Sequence, residues 1–416
     1  MTALVMVAGC GAASRITVPK RRAAGPVFGS HAVPVPQPPP QPAAELAPCR
    51  IAGTTDDLDE GHDVDRSEFL PSRGTLRMVM VFVDFPDATA AKAPVAYRDP
   101  QRYYRDMVPG AEQWLSTVSR GALHLSVRLV SHWYRVDRTS KSYGFADGIS
   151  YQEDIGYLSD VARVIGNSVR LGSYDAVYVV SVRGAVSMPG TATFRSGTPT
   201  TLPVSGGYLR HAATLGEDAA EDPSLTLAHE TLHMLGLPDL YLYDSAADQF
   251  APVGGWDIMS DPHGASPHLL GWELWKLGWI TDVQVRCLHR GSTEPTQLSP
   301  IESPVGVTAL VVPLGKGRAV VVESRRSIGV DAEACSSGVL IYRIDARKLS
   351  GNGPVRVLGT GVESNQLCQA STGPIDYATL GTDTGQVASY SDAADGIDVQ
   401  LVPTNTGYDA VTVTVQ

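Results

Sequence analysis

One stretch constrains this chain more than any other, Leu225 to Asp239, which reads LTLAHETLHMLGLPD. It holds His229-Glu230-x-x-His233, then Gly236, then Asp239. On a helix, residues four apart share a face, so both imidazoles can reach a single metal ion. Glu230 lies beside them, placed to handle the proton of a water at the metal. Pro223 suits a first helical turn, with Asp222 or Ser224 as cap candidates, and Gly236 and Pro238 stop the helix. Gly236 lets the chain turn back, which returns Asp239 toward the metal as a third ligand. Two core histidines on a buried helix are the plainer alternative. The extension beyond the second histidine, with start and stop signals in place, weighs against it.

At 416 residues the whole chain is long enough for one or two folded domains and a tail. A net charge of -11 disfavours nucleic acid or an anionic membrane surface as the main partner. No apolar run reaches the length of a membrane-spanning helix. Residues 1–10, MTALVMVAGC, read as the apolar end of a secretory signal. Val7-Ala8-Gly9-Cys10 is similar to the lipobox of bacterial lipoproteins, although no Lys or Arg precedes the apolar run. A lipidated Cys10 would tether the protein to a membrane, and a cleaved, unlipidated signal is the alternative. Either way the expectation is an exported or cell-surface protein.

Residues 11–48 form a proline-rich linker, which favours extended polyproline II. Residues 49–74 are acidic and turn-rich, a short pro-segment or a strap. Asp65 or its neighbours could take calcium as a second cofactor, against the plainer reading of a solvated acidic loop. With Cys10 set aside, Cys49, Cys287, Cys335 and Cys368 allow two disulfides in three connectivities. Cys335 with Cys368 is the preferred pair because both lie late in the chain, and Cys49 with Cys287 follows. The rival is Cys49 as a thiolate that blocks the metal.

A folded body is expected over 75–285. Leu76–Phe85 predicts a strand buried on both faces, and Ala111–Val118 a short helix after a break at Pro109-Gly110. Leu123–Val136 predicts two strands, Tyr151–Leu171 a helix and Tyr174–Val182 another buried strand. That order is a mixed α/β layering. The Gly- and Thr-rich stretch 184–207 reads as a cleft rim. His268–Ile280 predicts a helix that buries Trp and Leu, and His263 and His268 are alternative ligands or, more usually, surface or core residues. Residues 286–416 predict short strands between Gly, Asn, Asp and Ser turns, a β-sandwich-like domain.

After Asp239 come Tyr241 and Tyr243, either of which could donate a hydrogen bond to an oxyanion or simply pack. Gly254-Gly-Trp-Asp-Ile-Met259-Ser260 then forms a tight turn similar to the Met-turn beneath the metal of metzincins. There Met259 would be a soft apolar floor for the ligand histidines, against the alternative of an ordinary core methionine.

With those residues quoted, the chain resembles the immune inhibitor A-like family of secreted bacterial zinc metalloproteases. The motifs that carry the likeness are Val81-Phe-Val-Asp-Phe-Pro-Asp87, Ser119-Arg-Gly-Ala-Leu-His-Leu, the stretch from His229 to Tyr241, Trp256-Asp-Ile-Met-Ser and Trp272-Glu-Leu-Trp-Lys-Leu-Gly-Trp. Val320-Val-Val-Glu-Ser-Arg-Arg and Gly338-Val-Leu-Ile-Tyr-Arg-Ile-Asp345 extend it, so that it spans residues 75 to roughly 350. The resemblance implies an α+β chain: a metzincin-like catalytic domain, its mixed sheet carrying the active-site helix, followed by the β-sandwich-like region. It implies zinc on His229, His233 and Asp239, with Glu230 catalytic and protein or peptide substrates. Family members commonly carry an acidic residue directly after the motif tyrosine. Here Leu242 follows Tyr241 and Asp244 comes later, which leaves Asp239 or Asp244 as the third ligand.

Two other classes compete with a zinc endopeptidase. One is a catalytically silent surface lipoprotein that acts as a binding module. The other is a zinc hydrolase of a different bond, such as a cell-wall amide. No Gly-x-Ser-x-Gly elbow and no phosphate-cradling glycine loop offers a rival active site.

Overall fold

A computed structural model describes residues 39–54, 58–195, 202–246, 248–359, 368, 373–383, 385–402 and 408–416. Cys10, the proline-rich run and part of the expected cleft rim lie outside them. The chain divides into two compact units. Of the described residues, the first holds Val64–Asp239, and the second combines those before Val64 with Leu240–Gln416. The expected boundary at 285/286 falls inside the second unit. Among the described residues, no helix is long and apolar enough to cross a membrane.

The described chain opens on a four-residue helix, α1 (Ala43–Leu46), which belongs to the second unit. In the first unit, β1 (Gly74–Asp84) is the centre of a sheet and is buried on both faces from Met78 onward. Helix α2 (Pro100–Val118) follows, then β2 (Leu123–Arg135), α3 (Tyr151–Ile165), β3 (Ala176–Ser181) and β4 (Ala192–Arg195). A small hairpin, β5 (Leu202–Val204) with β6 (Gly207–Leu209), precedes β7 (His211–Leu215) and α4 (Pro223–Leu235). The sheet order is β2-β1-β3-β7-β4, parallel throughout except for the antiparallel edge strand β4. Parallel pairing needs crossovers, and the three helices supply covers for both faces. On one face, Val79, Val81 and Val83 pack with Tyr157, Leu158 and Val161 of α3. On the other, Phe82 meets Tyr103 of α2, and the Tyr178 hydroxyl bonds Thr231 of α4 at 2.7 Å.

Three elements differ from the sequence expectation. The expected break at Pro109-Gly110 lies inside α2, which starts eleven residues earlier than Ala111. Asp99 caps it by accepting from Gln101 N at 3.0 Å, with Pro100 in the first turn. Burial along one side holds the helix through Pro109, and Gly110 is needed for approach: a Cβ there would sit 2.6 Å from Ser224 Cβ of α4. The two strands expected over 123–136 are one long strand, with an irregularity where Met80 pairs Leu129 and Phe82 pairs Trp133. Helix α3 ends at Ile165 rather than Leu171, because Gly166 at φ +55° turns the chain out, while Ser150 and Glu153 close its start as a capping box.

In the second unit, the region read as a helix over 268–280 is helical only in α5 (Gly271–Lys276). His268 is held ahead of it, its N–H donating to Asp331 at 2.9 Å. Two sheets follow. One runs β13-β12-β11-β10-β8, from Val355–Leu358, Gly338–Asp345, Arg318–Arg325, Ala309–Gly315 and Val285–Cys287. The other runs β14-β15-β16-β9, from Ser389–Asp392, Ile397–Val402, Asp409–Val415 and Thr293–Leu298. Leu310, Val320 and Ile341 of the first share one apolar core with Leu298, Val399 and Val413 of the second, a sandwich-like arrangement. Both expected disulfides are at bonding distance, Cys49–Cys287 and Cys335–Cys368. Cys49 is thus tied within the second unit and is not a free thiol.

Asp154 of α3 is buried in the first unit, and no described protein group donates to either of its oxygens. Burial pushes its carboxyl up to about 7. The folded state therefore holds this proton more tightly than the unfolded chain. Its contribution is fully present below the unfolded value of 3.8 and is lost as pH rises through 7. Asp154→Asn is expected to raise the thermal midpoint at pH 8, an effect on the order of a few kcal/mol, and to change little near pH 3.5. Thermal melts of both proteins across that range check it.

Candidate metal centre

Helix α4 is built as its residues require. Asp222 is the cap, accepting from Leu225 N at 3.4 Å, and Pro223 occupies the first turn. Every residue from Thr226 to Leu235 is buried, so the helix has no solvent face. Gly236 ends it in the left-handed region at φ +105°, a conformation costly for any residue with a Cβ. Space forbids a side chain there too, since a Cβ would come within 2.8 Å of Val64 Cγ1. Leu70 N donates to Met234 O at 2.8 Å and Arg66 to Leu235 O at 3.2 Å, which satisfies carbonyls that the helix end leaves open.

The bend brings Asp239 back onto the histidines. His229 Nε2 and His233 Nε2 are 3.1 Å apart, and Asp239 Oδ1 is 3.1 Å from the first and 3.2 Å from the second. These three donor atoms form a nearly equilateral triangle. An ion about 2 Å from each, the usual zinc distance, fits just outside its plane. Among the described residues, this is the one group of three or more His, Cys, Asp or Glu donors close enough to share a metal ion. Asp244 is exposed and belongs to the second unit. The His–His–Asp set is the one that can hold a metal.

The hydrogen bonding agrees with a cation site. His233 Nδ1 lies 2.7 Å from Leu237 O and donates to it, so in the neutral ring the Nε2 lone pair faces the triangle. The His233 imidazole loses affinity for its proton through burial, but the Asp239 carboxylate more than offsets this and raises it to about 9. Burial alone would raise Asp239; the two imidazoles pull it far below the usual carboxylate range. Both shifts have one cause, the mutual attraction of the imidazoles and the carboxylate at close range. Among the described residues no calcium-like group of carboxylates accompanies it, and Asp65 is occupied with Ser67, accepting from its N–H at 2.8 Å and its hydroxyl at 2.7 Å.

Glu230 is buried next to His229, and one of its oxygens accepts a hydrogen bond from Thr193 of β4 at 2.5 Å. Thr193 falls within the stretch 184–207 expected as a cleft rim, and it stands on a strand. The alternation Ala192-Thr-Phe-Arg195, with Ala192 and Phe194 buried in the core, was the available signal of a strand.

The other expected site residues lie in the second unit. Met259 is fully buried in a turn where its N–H donates to Asp257 at 2.7 Å and its carbonyl accepts from Leu240 at 3.0 Å. Tyr241 packs edge-on against Tyr243 and Phe250, and the Tyr243 hydroxyl lies 3.0 Å from Ser350 Oγ. His263 sits 3.4 Å from Asp261, and His268 Nδ1 2.9 Å from Leu269 O.

No family model matches the chain, and no curated protein sequence matches it.

The triangle predicts one tightly held divalent ion per chain. His233→Ala and Asp239→Ala are each expected to lower affinity for zinc by at least about 100-fold, since each removes one of three protein ligands. Chelator-competition titration reads the affinity. Zinc should also raise the thermal midpoint of the native protein and leave that of the two variants nearly unchanged.

Proposed function

We propose that this protein is a zinc-dependent endopeptidase that acts outside the cytoplasm on proteins or peptides, with a metzincin-like arrangement in its first unit. The observation that carries the reading is the triangle of His229, His233 and Asp239 donors with Glu230 one residue from the first ligand. Three protein ligands leave a fourth position open, which is the pattern of catalytic rather than structural zinc. When bound there, zinc supplies a Lewis acid that acidifies water and polarises a carbonyl.

The chain's own residues do the rest. Glu230 takes the proton of the attacking water and hands it to the departing amine, one carboxylate serving as base and then as acid. His233 keeps Nε2 for the metal by donating Nδ1–H to Leu237. Strand β4 pairs with β7 on one side, and among the described residues no strand covers its other edge. An extended peptide can add to such an edge by main-chain hydrogen bonds, which would carry a scissile bond past Thr193 and Glu230. Export is supported by the two disulfides, which persist in oxidising compartments.

Glu230→Gln tests the reading. Bound zinc, measured by elemental mass spectrometry, should stay at the native level, while cleavage of casein and of a mixed peptide library should fall at least about 100-fold. Equal cleavage by native protein and variant would sink the assignment. Cleavage of purified peptidoglycan with casein left intact would move it to a cell-wall amide. Neither substrate cleaved by the zinc-loaded native protein would favour a binding module.

A further inference from the structure

We propose that Thr193 is a positioning residue for Glu230, its hydroxyl holding Oε2 of the carboxylate and leaving Oε1 to take and return the proton. The inference rests on the hydrolase reading above and deepens it. The Thr193 hydroxyl lies 2.5 Å from Glu230 Oε2 and 3.4 Å from the Glu230 carbonyl oxygen. A charged acceptor makes the first contact the stronger one, and it forms between two elements 37 residues apart in the chain.

Three features aim that hydroxyl. Strand alternation puts Ala192 and Phe194 into the core beneath α3, which turns Thr193 to the face that α4 covers. Pairing of Thr193 with Ala213 of β7 fixes its height along α4. The strand is also tied at both ends. Asp218 accepts from Thr191 N at 2.8 Å and from the Thr191 hydroxyl at 2.6 Å, and Arg195 pairs with Glu68. A β-branched residue adds stiffness at χ1, so the hydroxyl cannot swing away cheaply.

The chemistry needs such a restraint. A glutamate that serves as base and then acid must keep one oxygen in line with water through both steps, and a free carboxylate would rotate. Thr193 has one hydroxyl proton and uses it on Oε2 throughout. The transferred proton therefore lands on Oε1 and leaves from it, with no second acceptor required.

Thr193→Val keeps the shape of the side chain and removes the donor, and Thr193→Ser restores it. In the zinc-loaded protein, Thr193→Val should lower kcat by about tenfold or more, a modest misplacement of a catalytic group. KM should stay within about twofold and bound zinc at the native level, because neither depends on this hydrogen bond in the proposal. Thr193→Ser should recover most of kcat. An unchanged kcat in Thr193→Val, or a Thr193→Ser protein as slow as Thr193→Val, overturns the proposal. A second measurement avoids turnover altogether. In the metal-free protein, urea midpoints of Thr193→Val, Glu230→Ala and the double variant should be non-additive, and additive shifts overturn the proposal. If the coupling is present but the zinc-loaded native protein cleaves nothing, the hydrolase reading fails and takes the catalytic role of Thr193 with it. If the native protein cleaves and the coupling is absent, only the positioning role fails.

Discussion

Three electron-rich atoms crowded within about 3 Å of one another repel unless positive charge sits among them. His229 Nε2, His233 Nε2 and Asp239 Oδ1 are so arranged, on three largely buried side chains. Much of the first unit exists to hold that crowding in place. Helix α4 supplies two donors from consecutive turns, Gly236 reverses the chain within a space that admits no Cβ, and Leu237 receives the outer nitrogen of His233 before Asp239 completes the set. Removing any one of these would relax the triangle rather than merely trim it.

The central sheet explains why α4 can be so deeply enclosed. Its central strands β1 and β3 are apolar on both faces, and the helix α4 laid on one face is covered by α2, whose Gly110 admits Ser224 at close range. Tyr178 and Thr231 then join sheet and helix through a buried hydrogen bond, with Thr231 also donating to Leu227 O at 2.7 Å. The polar atoms on the hidden side of the helix are satisfied locally, and the charged ones are gathered at the triangle and at Thr193.

What could be read from the sequence divides along the same line. The ligand helix was legible because its chemistry is local: cap, proline, spaced histidines and terminating glycine lie between Asp222 and Gly236 and need no tertiary information. Strands β1 and β3 were legible from unbroken apolar runs. The failures are non-local. Pro109-Gly110 has the local chemistry of a break, yet packing against α4 carries the helix through it. Thr193 has no motif, and its partner is 37 residues away. Asp239, by contrast, was readable as a third donor from its place past Gly236, and it does lie with the two histidines. Met259 shows a different limit. Its turn is fastened by Asp257, which accepts from Met259 N and from Leu270 N, and by Arg325, which donates to Asp331 and to the Trp256 carbonyl. Burial of that methionine has a cause within its own unit, so burial alone does not argue for a part in metal chemistry.

Energetics weigh against the plain alternative for the two histidines, that they only fill a core. A core imidazole that serves only packing finds a neutral acceptor for its N–H and a neutral donor for its lone pair. His233 has the first, in Leu237 O, but its other nitrogen faces a second imidazole and a carboxylate. Leucine or phenylalanine at 229 and 233 would pack on the same enclosed helix without desolvating a charge, and replacement of buried ionic groups by apolar ones is often neutral or stabilising. Asp239 and Glu230 add two carboxyl groups to the same enclosed region, and the fold carries Gly236 at a strained φ to bring one of them there. A stability-driven sequence has no reason to keep all four. A cation at the centre would meet all three ligand atoms at once, a role that residues chosen only to fill a core could not perform.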